Sequence, residues 1–241
     1  MKNKKYTKQS VTFWILKLGV DCLCKPLTHL INKSLHNSYL PTQSKTATIT
    51  PVPKVSSPKN PAEYRPISLT SILSRTTGRL VIRKSLYPAI EASDSYQDQF
   101  AFRPTGETTA AIIAITTAVL KILEKQNLVR VIAFDFSKAF DTVKHASILK
   151  SFDKLELSDD VHNWVVIFFQ NRTHQTKYQN ETSDVATINA SVIQGSAIAA
   201  VAFTAIASTL KRAFDKNLYL STLMIPTSLY QRINLIRRKR R

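Results

Sequence analysis

Five prolines fall within the 24 residues ATITPVPKVSSPKNPAEYRPISLT, at positions 51, 53, 58, 61 and 66. Proline fixes φ and removes a backbone donor, so no long helix can cross this stretch. Its β-rich start, irregular middle and second β-rich end predict a strand, a loop and a short strand. The chain on either side reads differently.

Residues 11–38 have amphipathic spacing and predict one or two helices, with Pro26 as the interruption. Helical spacing returns over 70–92, with Ile72, Leu73, Leu80, Val81 and Leu86 apolar. The stretch TGETTAAIIAITTAVLKILEKQ predicts a long helix, capped by Thr105 or Thr108, with Lys121 and Lys125 near its end. Next comes an apolar run, Val131 to Phe134, that reaches Asp135. It predicts a central strand over 129–135, buried on both faces. Asp141 is placed to cap a helix running to about Phe152. SDDVHNWVVIFFQNRT predicts another helix, capped by Ser158 or Asp159. HQTKYQNETSDVATINAS predicts a hairpin, and GSAIAAVAFTAIASTLKRAF a helix of small residues. Strands and helices alternate irregularly, so the class is α+β.

Charge narrows the partners. The 241 residues hold 34 Lys and Arg against 16 Asp and Glu, a net charge of +18. Such a field attracts a polyanion, either nucleic acid or an anionic membrane surface. The last ten residues carry six positive charges and no negative one; without them 28 positive charges still face 16 negative ones. That tail reads equally as a nuclear import signal, a phosphate-binding patch or a frayed end. Cys22 and Cys24 suit neither a disulfide framework nor a zinc site, and a reducing compartment, nuclear or cytoplasmic, is expected. No apolar stretch reaches the roughly 18 residues of a membrane span.

Four blocks, in this order, carry a family resemblance. FDFSKAFDTVKHASIL resembles the first palm motif of reverse transcriptases from non-LTR (LINE, jockey-like) retrotransposons. ITPVPKVSSPKNPAEYRPISLTSILSRTTGRLV resembles their fingers motifs, and QDQFAFRPTGETTAA the block that follows. INASVIQGSAIAAVAF resembles the block around Gln-Gly-Ser. The similarity runs over about residues 20–215. It implies a right-hand polymerase fold: an N-terminal helical extension over 1–45, fingers over 46–127 and a partial palm over 128–215, with the thumb absent. It also implies RNA-directed DNA synthesis, with an RNA template, a DNA primer, dNTP and Mg²⁺ as partners. A non-catalytic, basic nucleic-acid-binding remnant is the alternative from another class.

Carried over position by position, the resemblance makes Asp135 the first metal ligand and the Phe136 carbonyl its companion. Phe140 takes the place of an aromatic gate that rejects a ribose 2′-hydroxyl by clash; ordinary core packing is the other reading. Gln194 would face the incoming nucleotide, and Gly195 would let the backbone come close. Lys54, Arg65 and Arg103 match basic positions that bind phosphates. Asp141 reads as a structural cap, and His145, one turn on, as a structural histidine.

Several positions depart from the family pattern. Ala101, Ser191 and the pair Ala199–Ala200 stand where glycine or Gly-Pro is usual, and Gly78 where an acid is usual. If those glycines serve a left-handed backbone or close approach, each replacement costs ~1 kcal/mol or more. The larger departure is an absence. Tyr-Ala-Asp-Asp, which carries the remaining palm carboxylates, should follow the helix that ends near Phe214. No Asp or Glu follows Asp215. Two Mg²⁺ ions need several oxygen ligands, so the chain is expected to be inactive.

The missing motif is legible in a shifted frame. Ser221 to Tyr230 can be encoded AGT ACG CTG ATG ATA CCT ACC TCG TTA TAC. Two bases later that string reads Tyr-Ala-Asp-Asp-Thr-Tyr-Leu-Val-Ile. The Met224–Ile225 pair forces one of those Asp codons. Residues 216–241 are therefore expected to be out of frame, as a disordered tail. Sequencing the locus across codons 215–230 should return these codons; different ones at Leu223 or Pro226 remove the frameshift.

Overall fold

The computed structural model describes residues 14–93, 96, 99–100, 108–132, 139–192 and 196–208. The chain divides into two compact units, Met1–Ala89 with Lys138–Phe203, and Ile90–Ser137 with Thr204–Arg241. Helices and sheet are mixed, in agreement with α+β.

The first unit is built on a five-stranded sheet. Strands β1 (Thr46–Pro53) and β2 (Tyr64–Leu69) form an antiparallel hairpin. β3 (Arg172–Tyr178) lies parallel to β1 on its other side, and β4 (Glu181–Thr182) and β5 (Ala186–Ile188) both pair antiparallel with β3. The prolines explain where pairing stops. Lys54 N–H donates to the Glu63 carbonyl at 2.8 Å, which makes Lys54–Glu63 a hydrogen-bonded pair. Bonded pairs recur every second residue in an antiparallel ladder. Pro51, Pro53 and Pro66 therefore all fall at positions that owe no N–H to the hairpin; Pro51 and Pro66 sit directly opposite each other. On its other side β1 pairs with β3 only as far as Ile49, short of the first donorless residue. Tyr64 and Tyr178 join the far ends of β2 and β3, with edge-to-face rings 5.8 Å apart and hydroxyls 3.1 Å apart. That shared hydrogen bond raises the Tyr64 pKa.

Helix α1 (Val20–His36) precedes the sheet. Pro26 lies inside it and does not interrupt it, contrary to the sequence expectation. Pro26 is exposed, and the Cys22 carbonyl it leaves without an N–H is on an exposed residue where water can take over. The irregularity falls instead at Gly19, between a helical stretch at 14–18 and α1. Leu23, Leu27, Ile31 and Ser34 recur at helical spacing as the less exposed stripe of α1. Ser34 Oγ accepts the indole N–H of Trp164 at 3.1 Å, tying α1 to the helix that carries Trp164.

After α2 (Thr42–Lys45) and the hairpin, α3 (Ile72–Val81) starts at Ser71, whose hydroxyl accepts the Ser74 N–H at 3.1 Å. A wide helical turn over Ile82–Leu86 leads into α4 (Tyr87–Ala92), so the chain is helical from Ile72 to Ala92, within the expected 70–92. The core gathers Val81, Ile82 and Leu86 with Ile148, Phe152, Trp164, Val165, Phe168 and Phe169. Burying each large side chain contributes about 1.5–3 kcal/mol.

In the second unit, α5 (Thr108–Lys125) is the expected long helix, with Ala111 and Val119 buried. The expected strand over 129–135 is corrected for its described part. Residues 129–132 belong to no strand, and Val131 and Ile132 are exposed rather than buried on both faces. A strand exists only where neighbours complete its hydrogen bonds, and no described strand pairs with 129–132.

Gly78 sits inside α3, and a methyl group there would meet only Ile198, at 3.6 and 3.7 Å. Both are ordinary contact distances. Gly78→Ala should therefore raise stability by about 1 kcal/mol, read as a higher midpoint in urea unfolding; a lower midpoint would contradict this packing.

Candidate nucleotide site

Two segments far apart in sequence form the centre of the first unit. α6 (Ala139–Thr142) is followed by α7 (His145–Phe152), with Lys144 as the α7 N-cap. The single helix expected from Asp141 to Phe152 is thus broken, and Asp141 lies inside the short α6 instead of opening the longer one. The cause is long-range pairing. Lys144 bridges Ala190, Ser191 N–H donates to the Val143 carbonyl at 2.8 Å, and His145 N–H to Asn189 at 2.9 Å. Val192 N–H donates to the Phe140 carbonyl at 2.7 Å. A continuous helix would need Val143 and Lys144 for its own ladder.

His145 completes this junction. α8 (Asp159–Phe169), with Ser158 at its N-cap as expected, ends beside it. The residue is 6% exposed; Nδ1 lies 3.1 Å from the Phe169 carbonyl and Nε2 2.9 Å from the Ser191 carbonyl. It is the structural histidine the sequence suggested. Burial pushes its pKa below the ordinary imidazole value, against the upward pull of the two carbonyls. Ser191 has φ of +83°, a left-handed conformation that disfavours any residue with a Cβ. The expected cost of losing glycine therefore applies here. It does not apply to Ala199 and Ala200, which lie within α9 (Ala197–Ala207) and have no left-handed backbone. Ser196 precedes α9, and its hydroxyl accepts the Ala199 N–H at 3.2 Å.

Phe140 is half-buried, and its ring stacks on Phe203 of α9, with centroids 5.0 Å apart and planes 26° apart. The hairpin brings Lys54 and Arg65 together. Arg65 opposes Val52, and side chains alternate along a strand, so Arg65, Val52 and Lys54 share one sheet face. Both cations are exposed and, among the described residues, neither has an acidic partner. Lys54 Nζ donates to the Ala62 carbonyl at 2.8 Å, which holds the ammonium over the loop and leaves it further donors. Arg65 keeps its planar fork at the surface, suited to phosphate.

The opposite face carries Ile49, Pro66, Ser68 and His174, which help line a cavity of about 340 Å³ with Asp141 and Ser191. Asp141 is thus separated from the two cations by the thickness of the sheet. Asp135, Phe136, Gln194, Gly195, Arg103 and Ala101 lie outside the described residues. Among the described residues, no three His, Cys, Asp or Glu side chains gather as a metal ion requires.

Arg172 was not singled out from the sequence, where it reads as one more cation in a basic chain. It is fully buried. Its guanidinium donates to the carbonyls of Phe168 at 2.8 Å and Ser44 at 3.3 Å, and lies 4.4 Å from the centre of the Phe168 ring. Burial brings its pKa down to about 10, so it stays charged at neutral pH. It fastens the end of α8 to the approach to β1. No local signal marks it, because its burial follows from how α8 and β3 meet.

The pH dependence of stability follows from His145. Its folded pKa lies below the unfolded value of about 6.5, so the unfolded chain takes up the proton first as pH falls. The contribution of neutral His145 is full above about pH 6.5 and declines below it. Thermal melts between about pH 8 and 5 should show a steeper acid decline for the natural chain than for His145→Asn. That variant should also be less stable by about 1–3 kcal/mol at neutral pH. Equal slopes would contradict a buried neutral His145.

Comparison with known proteins matches residues 52–230 to the family described as Reverse transcriptase (RNA-dependent DNA polymerase). The match continues past residue 215, into the stretch assigned above to another frame. The chain is 27% identical to the probable RNA-directed DNA polymerase from transposon BS of Drosophila melanogaster, over 71% of this chain and 19% of that protein. It is 25% identical to the RNA-directed DNA polymerase from mobile element jockey of the same fly, over 80% of this chain and 21% of that protein. It is 26% identical to the retrovirus-related Pol polyprotein from type-1 retrotransposable element R2 of Popillia japonica, over 57% of this chain and 19% of that protein. The chain thus spans about a fifth of the length of these relatives. With more than half its length matched, the chain belongs to the reverse transcriptase family.

Proposed function

We propose that this chain is the fingers and part of the palm of a non-LTR retrotransposon reverse transcriptase. In this reading it binds nucleotide and primer–template but does not join nucleotides. The observation that carries the binding half is the hairpin register, which sets Lys54 and Arg65 on one exposed face. A triphosphate there receives charge-assisted bonds from the Arg65 fork and the Lys54 ammonium. Arg103 would add to this charge. Phe140 would close the floor under the sugar, Gln194 would face the nucleotide, and Gly195 would admit the backbone. The template is RNA and the primer DNA.

The catalytic half is limited by its donors. Asp135 and the Phe136 carbonyl would supply the first ligands for Mg²⁺, the family's expected cofactor, which neutralises charge on the reacting phosphate when bound. After Asp215 the sequence offers no further carboxylate. This donor set does not suffice for a pair of ions. The net charge of +18 favours a second reading for the same chain, a retained nucleic-acid binder without chemistry.

With Mg²⁺, an RNA template and an annealed DNA primer, the chain should give no dNTP incorporation. It should still bind the hybrid saturably, with affinity falling linearly in log salt. Arg65→Ala should weaken dNTP binding about tenfold or more. Clear primer extension contradicts the inactivity, and loss of all saturable binding contradicts both readings.

A further inference from the structure

We propose that Phe203 is a specificity-positioning residue: it backs the ring of Phe140 and so sets how well the site tells deoxyribose from ribose. This rests on the reading of Phe140 as the sugar gate. A gate that works by clash discriminates only as far as its ring cannot recoil. A wall that yields by a fraction of an ångström admits an extra hydroxyl at little cost. What stands behind Phe140 therefore matters as much as Phe140 itself.

Two contacts remove its freedom. The backbone is fixed by the 2.7 Å bond from Val192 N–H to the Phe140 carbonyl. The ring is fixed by its offset stack on Phe203, at 5.0 Å and 26°. Phe203 is the one aromatic residue in α9, whose sequence is AIAAVAFTAIA. Its neighbours one turn before, Ala199 and Ala200, are too small to replace it as a support. α9 itself is anchored, with Ile198, Val201 and Ala202 buried. The stack thus passes the rigidity of a buried helix to the side chain that meets the sugar. An aromatic pair of this kind is worth about 0.5–1.5 kcal/mol beyond its buried area, which corresponds to roughly a 2- to 13-fold change in a binding ratio.

The test is equilibrium binding of dGTP and of GTP, with Mg²⁺, to the full chain on an RNA template annealed to a 3′-dideoxy DNA primer. The natural chain should prefer dGTP. Phe203→Ala should lower that preference roughly 2- to 13-fold, chiefly by tightening GTP, with dGTP little changed. Phe203→Tyr, which keeps the stack, should retain the preference. A merely structural role for Phe203 would weaken both nucleotides alike, and that result overturns the proposal. Should Phe203→Ala lose its circular dichroism, Phe203→Leu takes its place with a smaller change in the same direction. Phe140→Ala separates the layers. If it abolishes the preference while the Phe203 variants leave it intact, the inference fails and the gate stands. If it too leaves the preference intact, or if the natural chain shows none, the gate fails and the inference with it.

Discussion

The first unit depends on the pairing of residues 189–192 with 140–145. Three backbone hydrogen bonds of 2.7–2.9 Å and the buried ring of His145 join segments almost fifty residues apart. Each bond is worth only about 0.5–1.5 kcal/mol net, yet leaving such buried groups unpaired would cost more. The junction breaks the helix after Asp141 and fixes the backbone of Phe140. It also holds Ser191 in a left-handed conformation, a strain of about 1 kcal/mol or more that the surrounding bonds must overcome.

The hairpin is the second constraint, and it separates two chemistries by one sheet. Prolines at 51, 53 and 66 occupy ladder positions that need no donor, so the hairpin forms in spite of them. Their lack of N–H ends the pairing with β3 at Ile49. One face of the hairpin carries Lys54 and Arg65. The other carries the cavity that Asp141 helps to line.

Much of this was legible in the sequence where the cause is local. The strand, loop and strand of 46–69 follow from proline and β-branched residues, and α5 and α8 follow from apolar spacing and their starts. Ser191 could be flagged because glycine is usual at that position in the resembling family. What could not be read depends on partners distant in the chain. The break between α6 and α7 comes from residues 189–192, and the burial of Arg172 from the meeting of α8 and β3. Pro26 misled because a solvent-facing carbonyl can give up its helix partner. The exposure of Val131 and Ile132 misled because an apolar run becomes a strand only beside other strands.

In the proposed reading, the scaffold for holding a nucleotide and the means of joining it come apart in this chain: Lys54, Arg65 and Phe140 would hold the nucleotide, while no Asp or Glu follows Asp215 to complete the metal site. Electron paramagnetic resonance of Mn²⁺ added with dGTP and primer–template measures this directly. The account predicts a single ion carried in by the nucleotide, with no spin coupling. Two coupled ions held about 3.5–4 Å apart on one chain would contradict it.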